Sequence, residues 1–473
     1  MGSFSKISCV PSVGIMGIRS VSWRTSTTVC PIAVLDSMVP QDKAKVPAGE
    51  VLQAYRTMLS YLVDNRRWLF PSDPKSFCVV HGRQCSLCPA AAATSSSAKR
   101  QRTTAEIRQM SRSDDSADCP APLRINTAGT TCVGWSSAGK SLQFRDPSER
   151  PHAIWSVERL RRGELQVEDV FVSECTPRYP VKEKLVDLLA ETHDVFHIVV
   201  SPIDLGWPVR RRRVFCCGLS RATMAWLGPE QDDILQHFLG FFARTLQTDG
   251  DVFLVASDDR VFDEHCLLAG HRGLSLSSSA REGNVLVSPE HVYAPGQVVR
   301  LQQYSRMRDE VAPSGAFFAD LNQNCGAGAS TPGPVIPSML TSCTLHSFSK
   351  RRVALTEELL HAHGFNMYAE EMTPGTGPTW PPCRIREHLL QLNRAQRQKL
   401  LGNGWHLPVF ASWFYYILAH TVKLDRQVTV HPERSLWRKG SSSVLSWGRA
   451  SSSLSLGSCE DECTELKEGQ LGG

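Results

Sequence analysis

Apolar residues recur along this chain with two different periods, one typical of helices and one typical of buried strands. Within 47–70 the apolar side chains from Val51 to Leu62 are spaced three or four residues apart, which predicts an amphipathic helix. The same period predicts further helices at 234–246, 351–365 and 408–420. These four segments are therefore expected to be helices.

Between these helices the pattern changes to that of an α/β protein. Continuous apolar runs at 167–174 and 195–202 predict two buried strands, and the residues 181–193 between them have helical spacing. A strand, a helix and a second strand within about 35 residues have the size of a βαβ unit with parallel strands. A further strand is predicted at 251–257, and the rest of 221–340 is less regular.

The composition is that of a globular chain able to bind nucleic acid. Of the 473 residues 41% are hydrophobic and 21% are charged, and the net charge of +5 permits a nucleic-acid partner without requiring one. The 16 cysteines have no regular spacing and no signal peptide precedes them, so reduced thiols inside a cell are expected. No run of eighteen apolar residues occurs, so no membrane partner is expected.

Two short segments bear on the compartment in which the protein works. Residues 1–35 contain basic and hydroxyl-bearing residues and no acid, as an organelle transit peptide does, although a disordered leader has the same composition. The KRQR at 99–102 lies in an Ala/Ser-rich stretch and matches either a nuclear import signal or a solvated basic linker. We expect the nucleus, with an organelle as the alternative.

A compact group of cysteine and histidine residues follows the first predicted helix. Cys78, His81, Cys85 and Cys88 have the spacing C-x2-H-x3-C-x2-C, which is compatible with a small tetrahedral zinc site. Unrelated thiols in a loop are the alternative interpretation.

Three segments carry side chains suited to catalysis. GTTCVGWSSAGK at 129–140 places Cys132 among glycines, which let the backbone turn closely and expose a thiol. The strand VFVSE ends in Glu174, at the position where open α/β sheets carry functional groups. GWPVRRRRVFCCGL at 206–219 places consecutive arginines before an apolar strand, where Arg suits phosphate or carboxylate binding.

The order of these segments resembles that of the cytosine-C5 nucleic-acid methyltransferase family. The family has a catalytic loop PPCQxFSxxG, a strand ending in ENV, a GVPQxRxR segment, a variable target-recognition region and a C-terminal GN motif. TTCVGWSSAG is similar to the loop, ECT to ENV, and GWPVRRRR to the arginine segment. KRRVALTEELLHAHGF at 350–365 and the GN segment beginning at residue 400 complete the series. Five similar segments in the family's order extend over 121–425.

The resemblance implies an enzyme that uses S-adenosylmethionine to methylate C5 of cytosine in DNA. Cys132 is the implied nucleophile, which adds to C6 of the base, and Glu174 the implied acid at N3. Arg211 and Arg213 are expected to hold the flipped base and its phosphates. The residues expected to bind the cofactor are Ser136, Gly402 and Asn403.

The chain departs from the family pattern most clearly before Cys132. The family's glycine-rich DxFxGxGG loop, which cradles the cofactor, has no counterpart, and Thr130 and Thr131 replace the two prolines. A catalytically impaired relative that binds nucleic acid is therefore one alternative. C5 methylation of RNA is another, because the region 221–340 carries no readable code for the substrate. The PPC at 381–383 is closer to the family tripeptide, but the loop's serine and glycine do not follow it.

The resemblance also divides the chain into segments. The expected fold is a Rossmann-like methyltransferase sheet of the α/β class with a smaller, irregular target-recognition domain. The segments are a leader at 1–40, a helix with the Cys/His group at 41–90, a linker at 91–120, a catalytic α/β domain at 121–220, a target-recognition region at 221–340, C-terminal motifs at 341–425 and a disordered tail at 426–473.

Overall fold

The computed structural model describes the greater part of the chain between residues 46 and 424. The described ranges are 46–78, 83–86, 123–129, 133–136, 141–276, 289–326, 332–368 and 383–424. All of them belong to one compact unit, Met1–Asp425. Across these ranges, no helix combines the length and the apolar character that a membrane crossing needs.

The helices and strands alternate through the middle of the chain. The helices are α1 Ala48–Asp64, α2 Arg66–Leu69, α3 Glu149–Glu164, α4 Asp187–Leu189, α5 Gln231–Phe242, α6 Asp258–Gly270, α7 Pro289–Val292, α8 Pro295–Val311, α9 Thr356–Ala362, α10 Arg386–Gln391, α11 Arg394–Asn403 and α12 Leu407–Ala419. A π-helical turn, Lys182–Val186, leads directly into α4. The strands are β1 Lys75–Cys78, β2 Arg83–Ser86, β3 Ile125–Gly129, β4 Val170–Cys175, β5 His193–Val200, β6 Arg213–Ser220, β7 Met224–Trp226, β8 Phe318–Asp320, β9 Leu345–Ser347, β10 Arg352–Val353 and β11 Thr421–Lys423.

Four of these strands form a mixed central sheet with the order β3-β4-β6-β5. β3 and β4 are parallel, and β6 is antiparallel to both of its neighbours, so β3, β4 and β5 share one direction. The predicted parallel orientation of the two strands of the βαβ unit is confirmed, because β4 and β5 run in the same direction. They are not adjacent, however, since β6 lies between them.

Helices cover both faces of this sheet, which confirms the α/β class and its Rossmann-like layering. On one face the buried side chains of β4, β5 and β6 pack against α5 and α12. On the other face α3 and the helical segment that ends in α4 cover β3, β4 and β6. Gly218 leaves room for its register partner Phe171, because a Cβ at Gly218 would lie 2.0 Å from the Phe171 ring.

A second, smaller sheet lies in the less regular part of the sequence. Its order is β10-β9-β8, all antiparallel, and its core is shared with α8, where Tyr304 is buried. The strand predicted at 251–257 is wrong: the structure has a 3-10 turn at Gly250–Phe253. Gly250 donates its N–H to the carbonyl of Pro334, and Phe253 and Leu254 enter the core from a turn. A short apolar run cannot distinguish these two ways of burying its side chains.

Candidate active site

The carboxyl ends of two parallel strands define the candidate site. Gly129, the last residue of β3, is the register partner of Glu174 near the end of β4. Cys132 comes three residues after Gly129 in the sequence, but Thr130–Cys132 lie outside the described residues. The chain therefore enters the predicted nucleophile segment beside Glu174, and the carboxyl ends of strands are where α/β folds place their ligands.

Glu174 is a buried carboxyl with cationic neighbours. Its side chain is 8% exposed, and Nε of Arg213 lies 3.0 Å from its Oε1. Burial raises the pKa of Glu174, and the positive charges of Arg211 and Arg213 reduce that rise without cancelling it. A carboxyl with a raised pKa can hold a proton and donate it, which is what the predicted acid at N3 requires.

The two predicted arginines lie near this carboxyl but make different contacts. Arg211 is buried, and its guanidinium donates to three backbone carbonyls, those of Met339 at 3.2 Å, Gly402 at 3.0 Å and Gly404 at 2.7 Å. Arg213 is partly exposed and makes the ion-pair contact with Glu174. Arg213 is thus the arginine that can face a ligand, whereas Arg211 joins the sheet to the GN segment.

The GN segment reaches the same strand end from the far end of the sequence. A Cβ built on Gly129 would lie 3.1 Å from Nε1 of Trp405, so the indole packs against the end of β3. Trp405 also packs on Phe410 of α12, with 4.2 Å between the ring centroids. The sequence motifs at 129, 174, 211–213 and 402–405 are therefore brought together at one edge of the sheet.

The three residues predicted to bind the cofactor differ in their surroundings. Gly402 packs against the chain, because a Cβ there would lie 2.3 Å from the backbone nitrogen of Thr341. Asn403 is exposed at the end of α11. Ser136 is half-buried, and its carbonyl accepts a hydrogen bond from Ser141. These contacts do not test whether the three residues bind S-adenosylmethionine, so their cofactor role stays a prediction.

A buried carboxylate–lysine pair close to this edge is a feature that sequence reasoning missed. Glu149 at the start of α3 contacts Lys184, and the indole N–H of Trp135 donates to Glu149 at 2.9 Å. Trp135 follows Cys132 by three residues. The charged pattern around Lys184 resembles a solvated helix face, so the sequence holds no clear signal for this pair.

The predicted zinc ligands lie largely outside the described residues. Cys78 and Cys85 belong to the antiparallel β1–β2 hairpin, two positions apart in its register, whereas His81 and Cys88 are not described. Elsewhere in the part of the chain that the structure covers, no three metal-ligating side chains come together. Zinc binding thus has no support from the structure.

No protein-family model and no curated protein matches this chain. Among solved structures, a DNMT2 mutant of Spodoptera frugiperda is 13% identical with a TM-score of 0.30, over 68% of this chain and 84% of that one. The Dnmt2 methyltransferase of S. pombe is 13% identical with a TM-score of 0.32, over 62% and 78%. A putative DNA modification methyltransferase from an E. coli prophage is 13% identical with a TM-score of 0.30, over 67% and 84%. Likeness at this level assigns neither a substrate nor a site residue.

Proposed function

We propose that this protein is an S-adenosylmethionine-dependent methyltransferase that acts on C5 of cytosine in DNA through a covalent adduct with Cys132. The observation that carries the proposal is the register pair Gly129–Glu174, with the Arg213 guanidinium 3.0 Å from the Glu174 carboxyl. It supports an acid, a cation and the predicted nucleophile segment at one strand end.

The chemistry follows from the residue types at this edge. The Cys132 thiolate attacks C6 of the base while Glu174 gives its proton to N3, so the electrons of the C5–C6 double bond shift towards C5 and leave C5 nucleophilic. Once C5 carries its new substituent, water acts as the base that takes the original C5 proton, the thiolate leaves C6, and the N3 proton returns to Glu174. S-adenosylmethionine supplies the methyl group when it is bound. In this proposal Arg213 holds the base carbonyl or a phosphate.

A duplex hides the target base, which must be flipped out before Glu174 can reach N3. DNA in the nucleus is the proposed target, and RNA is the alternative substrate with the same base chemistry.

A second candidate function is favoured by the contacts that Gly402 makes within the protein. Gly402 is used in chain packing, and its carbonyl accepts from Arg211. A protein that keeps the base-binding side without a cofactor cradle would bind nucleic acid and add its thiol to cytosine without methylating it. This candidate is a catalytically impaired relative of the enzyme.

The whole function is tested by covalent trapping on an oligonucleotide that contains 5-fluorocytosine. Fluorine cannot leave C5 as a proton does, so methyl transfer leaves the enzyme attached to the base. The assay compares the wild type with Cys132→Ala, with and without S-adenosylmethionine, on matched DNA and RNA strands. We expect an adduct that requires both Cys132 and the cofactor. Its absence on both substrates, with binding intact, would contradict the enzyme proposal.

The two candidates are separated by hydrogen exchange at C5 in D2O without any cofactor. Thiolate addition makes C5 take up a deuteron, and elimination then returns cytosine that carries deuterium, so exchange reports on Cys132 and Glu174 alone. Exchange together with trapping indicates the methyltransferase. Exchange without trapping indicates the impaired relative. Binding with neither reaction would remove the catalytic role of Cys132.

A further inference from the structure

The Glu149–Lys184 pair is enclosed by protein on all sides. Both side chains are 1% exposed, and they contact each other directly. The Lys184 ammonium also lies over four aromatic rings, at 4.9 Å from the centroid of Tyr179, 5.3 Å from Trp135, and 5.8 Å from both Tyr55 and Phe144. Such rings attract a cation through their negative faces.

Stability alone is a weak reason for a pair of this kind. Removing two charges from water is energetically costly, and well-packed apolar replacements are often as stable or more stable. Burial raises the pKa of Glu149 and lowers the pKa of Lys184, while each group favours the charged form of the other. Unlike two apolar side chains, this pair can accept a hydrogen bond from a third residue through the carboxylate of Glu149.

That third residue is Trp135 in the 3-10 turn Val133–Trp135, which begins directly after Cys132. Its indole Nε1–H donates to Oε1 of Glu149 at 2.9 Å, and its carbonyl accepts from Nε of Arg178 at 3.2 Å. The neighbouring Gly134 is equally confined, because a Cβ there would lie 2.7 Å from Cβ of Asp146. The segment that follows the predicted nucleophile is therefore fixed from several directions.

We propose that Trp135, Glu149 and Lys184 are positioning residues that fix the turn Val133–Trp135, which directly follows Cys132 in the sequence. Lys184 fixes Glu149, Glu149 accepts from the Trp135 indole, and the indole fixes the turn that continues from the nucleophile. The proposal rests on the proposed function of Cys132. It also predicts a property of the free protein, because a change in the turn that follows Cys132 should alter the reactivity of this thiol before any nucleic acid is bound.

The first test compares Trp135→Phe with Trp155→Phe. Both replacements remove an indole from the same buried cluster, but Trp155 Nε1 has no hydrogen-bond partner in the described structure, whereas Trp135 Nε1 donates to Glu149. We expect Trp135→Phe to slow C5 exchange by about tenfold to a hundredfold with unchanged oligonucleotide affinity, because small displacements of a reacting group cost this much. Trp155→Phe should stay within about twofold of the wild type.

The second test separates the hydrogen-bond acceptor from the charge. Glu149→Gln with Lys184→Met keeps an oxygen for the indole, whereas Glu149→Leu with Lys184→Met replaces that oxygen by apolar atoms of similar size. Both double variants remove the buried charges together, so both should fold. We expect the Leu variant to match Trp135→Phe and the Gln variant to keep most of the wild-type rate.

Alkylation of Cys132 by iodoacetamide, followed by peptide mass spectrometry, gives a readout that needs no nucleic acid. We expect the rate of Cys132 labelling to change by about threefold or more in Trp135→Phe and not in Trp155→Phe. If the wild-type protein shows no C5 exchange but Trp135→Phe still changes the rate of Cys132 labelling, the positioning role is upheld and the proposed function fails. Equal labelling and equal exchange in the two tryptophan variants would overturn the positioning role, as would identical behaviour of the two double variants.

Discussion

The two ends of β4 carry buried carboxyls whose pKa values move in opposite directions. Asp169 precedes the strand and is fully buried, and Arg124 donates to it through its backbone N–H at 2.8 Å, Nε at 3.1 Å and Nη2 at 2.8 Å. Burial raises the pKa of Asp169, but these bonds outweigh it and leave the pKa lowered. At the other end burial prevails, and the pKa of Glu174 is raised although Arg211 and Arg213 are close.

The difference shows that an arginine beside a carboxyl does not by itself decide its charge. Several hydrogen bonds to both oxygens hold Asp169 ionised, so that end ties β3 to β4. At Glu174, Arg213 makes an ion-pair contact to one oxygen, and the guanidinium of Arg211 is directed to backbone carbonyls. One end of the strand is therefore structural, and the other keeps a carboxyl that can hold a proton.

The largest expected effect is that of Glu174→Gln on C5 exchange. Glutamine keeps the shape of the side chain but cannot give a proton to N3, so we expect the exchange rate to fall by about 10²- to 10⁴-fold. Deuterium incorporation measured by mass spectrometry, at saturating oligonucleotide, gives the rate. An unchanged rate would mean that the carboxyl is not the acid.

Replacing Arg211 should affect folding more than chemistry. Arg211→Met leaves the carbonyls of Met339, Gly402 and Gly404 without this donor, and we expect the free energy of unfolding to fall by about 3 kcal/mol. Urea denaturation checks this, with Arg212→Met, on an exposed neighbour, as the control that should change little. Equal stability of the two variants would remove the joining role of Arg211.

At the opposite strand end, Asp169→Asn should lower the free energy of unfolding by about 2 kcal/mol near neutral pH and leave C5 exchange unchanged. The pKa of Asp169 is lower in the folded chain than in the unfolded chain, so the unfolded chain binds more protons below about pH 4. The stability that ionised Asp169 contributes is therefore lost as the pH falls. Urea midpoints of the variant should therefore depend less on acid than those of the wild type. If Asp169→Asn folds but loses C5 exchange, the end of β4 at Asp169 is not purely structural, and the difference between the two ends of the strand is contradicted.

The smallest expected effect is a fall in the rate of C5 exchange as the pH rises. The acid form of Glu174 is required, so the rate should fall by about tenfold per pH unit above its raised pKa, while thiolate formation at Cys132 makes the rate rise from the acid side. The profile is then bell-shaped, and the alkaline limb should be missing from the residual rate of Glu174→Gln. Persistence of that limb in the variant would assign it to another group.

Much of the central fold could be predicted from periodicity. The helices at Ala48–Asp64, Gln231–Phe242 and Leu407–Ala419 are confirmed because each buries one apolar face. The insertion of β6 between β4 and β5 could not be predicted, since the order of strands in a sheet is set by long-range pairing. Helix Pro295–Val311 was also missed, because Tyr304 alone of its residues is buried and little apolar periodicity results.

The candidate site also has features that the sequence predicts and features that it does not. Glu174 and Arg213 were predicted to lie near each other from their positions beside strands, and the structure brings them into contact. The carbonyl contacts of Arg211 and the pairing of Glu149 with Lys184 join residues far apart in the chain. From the sequence these charged side chains are expected at the surface, and only the tertiary packing shows that they are buried.

The most direct measurement is C5 deuterium exchange on one cytosine-containing oligonucleotide, comparing the wild type with Cys132→Ala at equal bound fraction. The account predicts exchange by the wild type and only the uncatalysed background for the variant, because thiolate addition to C6 is what activates C5. Undiminished exchange by Cys132→Ala, or no exchange by wild-type protein that binds the oligonucleotide, would contradict it.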